Sequence, residues 1–349
     1  MIDIILNNIL PFIFILTILV FVHELGHYLI AIKNGVKVEV FSIGFGKELF
    51  GFTDKSGTRW KFSLVPLGGY VKMHGDLDEA SSKKNDSSQI NPEESFHEKS
   101  ITQRSMILFA GPAANFIFSF VILVFINIYY GISLDKPVIS EVEVGNSADQ
   151  SGLRAGDTIV EIDGNKIAKF SELKKFIEKK NNNSVIITFS RNNKINEVSV
   201  KVIEKKIGIR GTIENKKLKL FESISESSLQ LIYFTKVTLI GVFEIITGNR
   251  GTEDLGGPIR IAELSGDFWS KGLQSTLWFM MIISLNLGLI NLFPIPMLDG
   301  GHLLLNFFEF INRGPLNKKY LEIAHTFGFF ILISLMIFAT YNDILRFFK

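Results

Sequence analysis

The amino-acid sequence predicts an α-helical multi-pass membrane protein with four transmembrane helices, a strand-rich region beside the first of them, and one small α/β domain outside the membrane. Three observations predict it. Four apolar runs punctuate the 349-residue chain, each near the roughly 20 residues that a hydrocarbon core of about 30 Å demands. Between the second and third runs, residues 136–205 alternate as short strands around one helix. Between the first and second, Val36 to Val71 alternates around glycines, in the period-two pattern of strands.

The runs are read as follows. Ile4 to Ile32 contains one charged residue, Glu24, and lacks the basic start and small-residue cleavage site of a signal peptide. Ser105 to Gly131, Gly272 to Leu298 and Ile323 to Asn342 contain no Lys, Arg, Asp or Glu. A fifth stretch, Ser228 to Gly248, is apolar on most faces but carries Lys236 and Glu244. The chain is 47% hydrophobic and 21% charged, with a mean hydropathy of +0.27. This composition excludes a soluble single-core enzyme and a disordered chain. A net charge of +2 gives no basic field for nucleic acid, and the absence of cysteine restricts any metal site to His, Asp or Glu.

Basic residues near helix ends set the orientation. Lys33, Lys37 and Lys47 follow the first run, Arg104 precedes the second, and Arg313, Lys318 and Lys319 lie between the last two. Those loops are expected on the cytoplasmic side, with both termini outside; Arg346 and Lys349 run against the pattern. The domain plan is 1–33, first span; 34–75, membrane-associated β region; 76–103, flexible cytoplasmic loop; 104–131, second span. It continues with 136–205, outer α/β domain; 206–271, linker and membrane-surface helix; 272–301, third span; and 302–349, cytoplasmic loop and fourth span.

The first run holds His23-Glu24-Leu25-Gly26-His27. On a helix, two His four residues apart share a face and can hold one Zn²⁺, and the Glu beside them can take a proton from water polarised by the ion. An acid and two imidazoles in an apolar span are costly, which marks the group as functional. Catalytic zinc takes a third protein ligand. Asp299 is the acid at hand, in Asn291-Leu292-Phe293-Pro294-Ile295-Pro296-Met297-Leu298-Asp299-Gly300-Gly301. There two prolines break the helix, as is tolerated where backbone lines a wet cavity. For His23, His27 and Asp299 to meet, the first and third spans must run the same way, which requires an odd number of crossings between them. The stretch 228–248 should therefore lie along or beside the membrane rather than through it.

These two motifs together resemble the site-2 protease family, nearest its bacterial zinc metalloproteases that cleave anti-sigma factors. Three further blocks are similar: Pro66 to Met73 to the family's membrane-associated β segment, Arg104 with Ala110 to Phe116 to its second span, and Leu255 to Ile259 to the stretch before its third. The resemblance covers nearly the whole chain. It implies Zn²⁺ on His23, His27 and Asp299, with Glu24 as acid/base and Asn291 helping to hold substrate. It implies single-pass membrane substrates of the anti-sigma type, already shortened by another protease, and a bacterial inner-membrane location with the site near the cytoplasmic side.

In the outer domain, Gly145 to Ala148, Ser151 to Ile159 and Asp163-Gly164 resemble a PDZ domain of bacterial proteases. Ser171 to Lys180 reads as a helix with a Ser cap. The domain serves either as a peptide receptor by strand addition or as a filter against bulky outer domains, the role the family favours. The strands around Gly44, Gly46, Gly68 and Gly69 offer an edge to an unwound substrate. His74, His97 and His325 are read as incidental, and His302 is not assigned to the metal. A non-catalytic PDZ membrane adaptor, indifferent to Glu24→Gln, and a metal transporter are the alternatives.

Overall fold

The computed structural model describes residues 5–75, 92–180, 183–251 and 256–346. Two compact units divide the chain, one formed by 1–126 with 220–349 and the other by 127–219. Most of the segment expected as a flexible loop, 76–91, lies outside the described residues.

In the first unit, a π-helical turn Ile5–Ile9 leads into α1 (Leu10–Lys33). Then come β1 (Val38–Thr53), β2 (Arg59–Met73) and α2 (Ile101–Tyr129). Contacts fix the helix directions. His27 and Gly26 of α1 meet Ile107 and Ala110 of α2, while His23 meets Asn115, so α1 and α2 are antiparallel. Polar glue between spans joins α2 to α7 (Leu273–Asn291): Ser119 Oγ donates to Met281 O at 3.1 Å, and Ser284 Oγ donates to Asn115 O at 3.0 Å. Thus α7 opposes α2 and runs with α1, the direction the metal motif requires.

Five helices, not four, are long and apolar enough to cross a membrane among the described residues; the fifth is α5 (Leu220–Ile246). Glu222 and Glu226 lie in its first two turns, and Lys236 and Glu244 do not offset the aliphatic and aromatic content of the rest; its best window equals that of α7 in hydropathy, at 1.6. It starts beside the C-terminal end of α2, where Ser223 Oγ donates to Val124 O. It then runs beside α7, with Phe234 against Trp278 and Thr238 Oγ1 donating to Asn286 Oδ1. By α6 (Pro258–Ser270) the chain is back at the start of α1: Trp269 packs edge-on to Phe14, and Gly266 abuts Asn7 and Asn8. Asp343, near the end of α9 (Lys318–Arg346), fixes the start of α6 by accepting the N–H groups of Gly257 and Arg260 at 2.9 and 3.0 Å.

The β region is one long antiparallel hairpin bent double. Val38 faces Met73 at its base and Thr53 faces Arg59 at its turn. Val40 to Ile43 also face Arg59 to Phe62 on their other side, both rising together. Gly44 (φ +90°), Gly46 (φ +86°) and Gly68 (φ +146°) lie at the bend, where the backbone enters regions that L side chains avoid. Folding returns the turn to α1: Trp60 stacks on Phe41 at 4.3 Å and meets Tyr28 at 4.9 Å. Asp54 accepts from Ser56 N and Oγ, Trp60 Nε1, Thr58 N and Tyr28 OH. Apolar side chains remain exposed along the bent hairpin, among them Phe45, Leu49, Leu64 and Val65, as suits a sheet that dips into lipid. The segment from Pro92 on is anchored to this core, with Phe96 buried and its N–H donating to His74 O.

The second unit holds β3 (Ile132–Val142), α3 (Ser147–Gln150), β4 (Thr158–Ile162), β5 (Asn165–Lys166), α4 (Phe170–Lys179), β6 (Ser184–Arg191), β7 (Lys194–Lys201) and β8 (Ile209–Lys216). The sheet order is β7-β6-β4-β3-β8, with β5 on β4. It is wider than 136–205, because β8 returns to pair with β3 from Ile132–Lys216 to Val142–Ile209. Its core gathers Ile139, Leu153, Ile159, Ile162, Leu173 and Ile187. The helix starts at Phe170, so Ser171 is not its cap. Instead, Glu172 accepts the N–H groups of Ala168 and Lys169, and Asp135 accepts that of Ser171.

Candidate metal centre

Apolar residues around the pair place His23 and His27 one turn apart on the buried face of α1. Their Nε2 atoms lie 3.2 Å apart. The third group comes from far along the chain. Pro294 and Pro296 supply no N–H for a helical ladder, so α7 stops at Asn291 and an irregular segment follows. Asp299 is therefore not the end of the third span, as expected from sequence, but the first residue of a new helix, α8 (Asp299–Asn312). Met297 just before it has φ +85°, a strained value for a residue with a side chain. The Gly300-Gly301 pair lets α8 fold back against Leu292 to Pro296.

This turn delivers the Asp299 carboxylate to the imidazoles. Oδ2 is 3.2 Å from His23 Nε2, and Oδ1 is 3.4 Å from His27 Nε2. The three side chains form the one His/Asp/Glu cluster with metal-ligand spacing among the described residues. A tetrahedral zinc with bonds of about 2.0–2.1 Å has ligand atoms about 3.3 Å apart, and the observed spacings match that edge. Asp299 Oδ2 is buried with no hydrogen-bond donor, as suits an oxygen meant for a cation. The donor set fits Zn²⁺.

Three features of α2 hold the rings, and the sequence reading missed their roles. His27 Nδ1–H donates to Ile107 O at 2.8 Å, which leaves Nε2 with its lone pair toward the pocket. Asn115, fully buried, places its carboxamide 3.0 Å from His23 Nδ1. Gly111 provides room: a Cβ there would overlap the His27 ring. The available signal was a carboxamide one turn beyond Gly-Pro, midway along an uncharged span, which in lipid demands a partner.

Glu24 lies next to the pair, and its Cγ would be 3.1 Å from a Cβ at Gly69. Gly69 thus lets the β2 backbone approach the acid, while Gly44, Gly46 and Gly68 shape the bend rather than the cluster. Among the described residues Glu24 makes no hydrogen bond or ion pair, leaving its carboxylate available for proton transfer. Asn291 Nδ2 sits 3.4 Å from His23 Nε2, at the rim of the pocket. His302 pairs with His325, rings 5.2 Å apart, outside the three-ligand cluster. His74 bonds Glu39 and His97 packs on Phe96. At the far end of α8, Glu309 accepts from Arg104 Nη2 at 2.6 Å, and Asn306 donates to Ser105 Oγ, tying the helix that carries Asp299 to the start of α2.

Comparison with known proteins gives this geometry its relatives. The model of Peptidase family M50 matches residues 11–335. A protein of Agrobacterium fabrum is 36% identical, covering 96% of this chain and 95% of its own length. One from Rickettsia conorii is 37% identical, over 98% and 99%, and one from Campylobacter jejuni is 35% identical, over 95% and 92%. Each is provisionally named a zinc metalloprotease. Among solved structures, the PDZ domain of an SdrC-like protein of Listeria monocytogenes is 27% identical over 23% of this chain and 92% of that one, with a TM-score of 0.21. The chain belongs to Peptidase family M50, the site-2 type, and is a zinc metalloprotease.

Proposed function

We propose that this enzyme hydrolyses a peptide bond within the membrane-embedded segment of a single-pass protein, such as an anti-sigma factor already shortened by another protease. The observation that carries the reading is the meeting of His23, His27 and Asp299 beside Glu24, among helices long and apolar enough to span a bilayer. In this proposal α1, α2, α7 and α9 cross the inner membrane of a bacterium. The pocket faces its cytoplasmic side, and the 127–219 unit stands outside as a PDZ-like filter that turns away substrates with bulky outer domains.

His23, His27 and Asp299 would hold the Zn²⁺, which when bound would supply a Lewis acid for the scissile carbonyl and for the attacking water. Glu24 accepts the water's proton and returns it to the leaving amine. A helical substrate has its carbonyls tied into its own ladder and must unwind before attack. The bent hairpin, whose Gly69 backbone borders Glu24, offers an extended partner for that step. Asn291, at the rim, holds the unwound peptide in place.

The test is cleavage of a model single-span substrate by detergent-purified enzyme. Glu24→Gln, which removes the base but no ligand, is expected to lower turnover by about 10²–10⁴-fold while zinc content and melting temperature stay at wild-type values. Unchanged turnover would favour a non-catalytic adaptor.

A further inference from the structure

We infer that Asn115 is the positioning residue that orients His23 for the metal, its carboxamide Oδ1 accepting the ring's Nδ1–H so that Nε2 presents its lone pair to the pocket. The inference rests on the reading that His23 is a zinc ligand.

Each metal-binding imidazole must present a lone pair at one nitrogen, so the other must carry the proton and needs an acceptor. The two rings meet this demand differently. His27 Nδ1 faces the Ile107 carbonyl at 2.8 Å, which can only accept, so the proton is fixed at Nδ1 and Nε2 is the nitrogen offered to a metal. His23 Nδ1 faces a carboxamide at 3.0 Å, which can do either. With Nδ2 toward the ring, Nδ1 accepts, and Nε2, 3.2 Å from both His27 Nε2 and Asp299 Oδ2, would carry the ring's proton and offer no lone pair to a cation. With the amide turned by 180°, Oδ1 accepts Nδ1–H and both Nε2 lone pairs point into the pocket.

The surroundings support a specified role for this side chain. Asn115 is fully buried, and in the first orientation its Oδ1 has no partner. Its backbone is clamped independently of the amide, because Asn115 O accepts both Ser119 Oγ at 2.9 Å and Ser284 Oγ at 3.0 Å. The side chain is therefore presented at fixed height against one ring of one ligand, with freedom only to turn.

The experiment measures zinc affinity by chelator competition on detergent-purified wild type, Asn115→Asp and Asn115→Leu, with melting temperature as the folding control. Asp supplies an obligate acceptor of the same shape, and Leu the same volume with none. We expect Asn115→Leu to weaken zinc binding by about 10–100-fold at a near-wild-type melting temperature, and Asn115→Asp to bind as tightly as wild type or more so. Asn115→Ala replaces the Leu variant if that one does not fold. Wild-type affinity in Asn115→Leu or Asn115→Ala, or equal losses in the Asp and Leu variants, would overturn the inference. A wild type that binds no zinc would instead overturn the ligand reading beneath it.

Discussion

The two compact units bury polar groups in opposite ways. In the 127–219 unit, charge meets charge: Asp157, 1% exposed, takes Arg191 Nε and Nη2 at 2.7 Å each and the Arg154 N–H at 2.8 Å. Around the metal pocket, the helices are joined instead by neutral groups. Ser119, Ser284 and Asn115 bond to carbonyls or to a ring, and glycines let the helices close. The charges kept near that pocket are those the chemistry uses, with the Arg104–Glu309 pair at the edge of the bundle. Where hydrocarbon surrounds the fold, an ion pair is a costly way to stabilise it. Polar side chains there are therefore informative, and in a water-facing module they are ordinary.

Four perturbations break or sharpen this contrast. The largest effect is the catalytic loss in Glu24→Gln described above, since it removes a charge from the pocket and no contact from either unit. Next is Gly111→Ala, whose Cβ would overlap the His27 ring. It is expected to lower zinc affinity by at least tenfold and to cost about 1–3 kcal/mol of overpacking, leaving the unfolding of the 127–219 unit unchanged. Chelator competition and calorimetry read the two parts.

Asp157→Ala should do the reverse. It leaves the Arg191 guanidinium without its bidentate partner and is expected to destabilise the 127–219 unit by about 2–3 kcal/mol, with zinc content unaltered. The smallest effect is a pH response at the hairpin turn. Hydrogen bonds from Ser56 and Trp60, then Thr58 and Tyr28, hold the Asp54 carboxyl well below the usual carboxylate range. Because the folded pKa is the lower one, the turn has its full stability above the unfolded value of about 3.9 and loses it as pH falls below about 4. Hydrogen exchange at residues 54–60 should accelerate in that window, and Asp54→Asn should flatten the response.

The same contrast decides what was legible in the sequence. Strands β4, β6 and β7 could be read from period-two alternation, and the apolar spans from length alone. The His23–His27 pair was legible because one helical turn is a local distance, and Asp299 because a lone acid beside two prolines stands out in an uncharged run. Strand β8 was missed because its partner β3 lies far back in sequence, so nothing local distinguishes it from linker. The β-hairpin region after the first helix was legible from alternation, but its doubling was not, since a bend at glycines shows in φ and not in alternation. The stretch 228–248 was ambiguous in the sequence because Lys236 and Glu244 interrupt an apolar run, and the helix that contains it, α5, has the length and hydropathy of a span. Gly111 and Asn115 carry no chemistry of their own, and only contact with the rings reveals their use.

If His23, His27 and Asp299 share one zinc, mass spectrometry of detergent-purified protein should find one zinc per wild-type chain and only a small fraction of that in Asp299→Ala, at an unchanged elution volume. Full occupancy in Asp299→Ala would remove Asp299 from the ligand set.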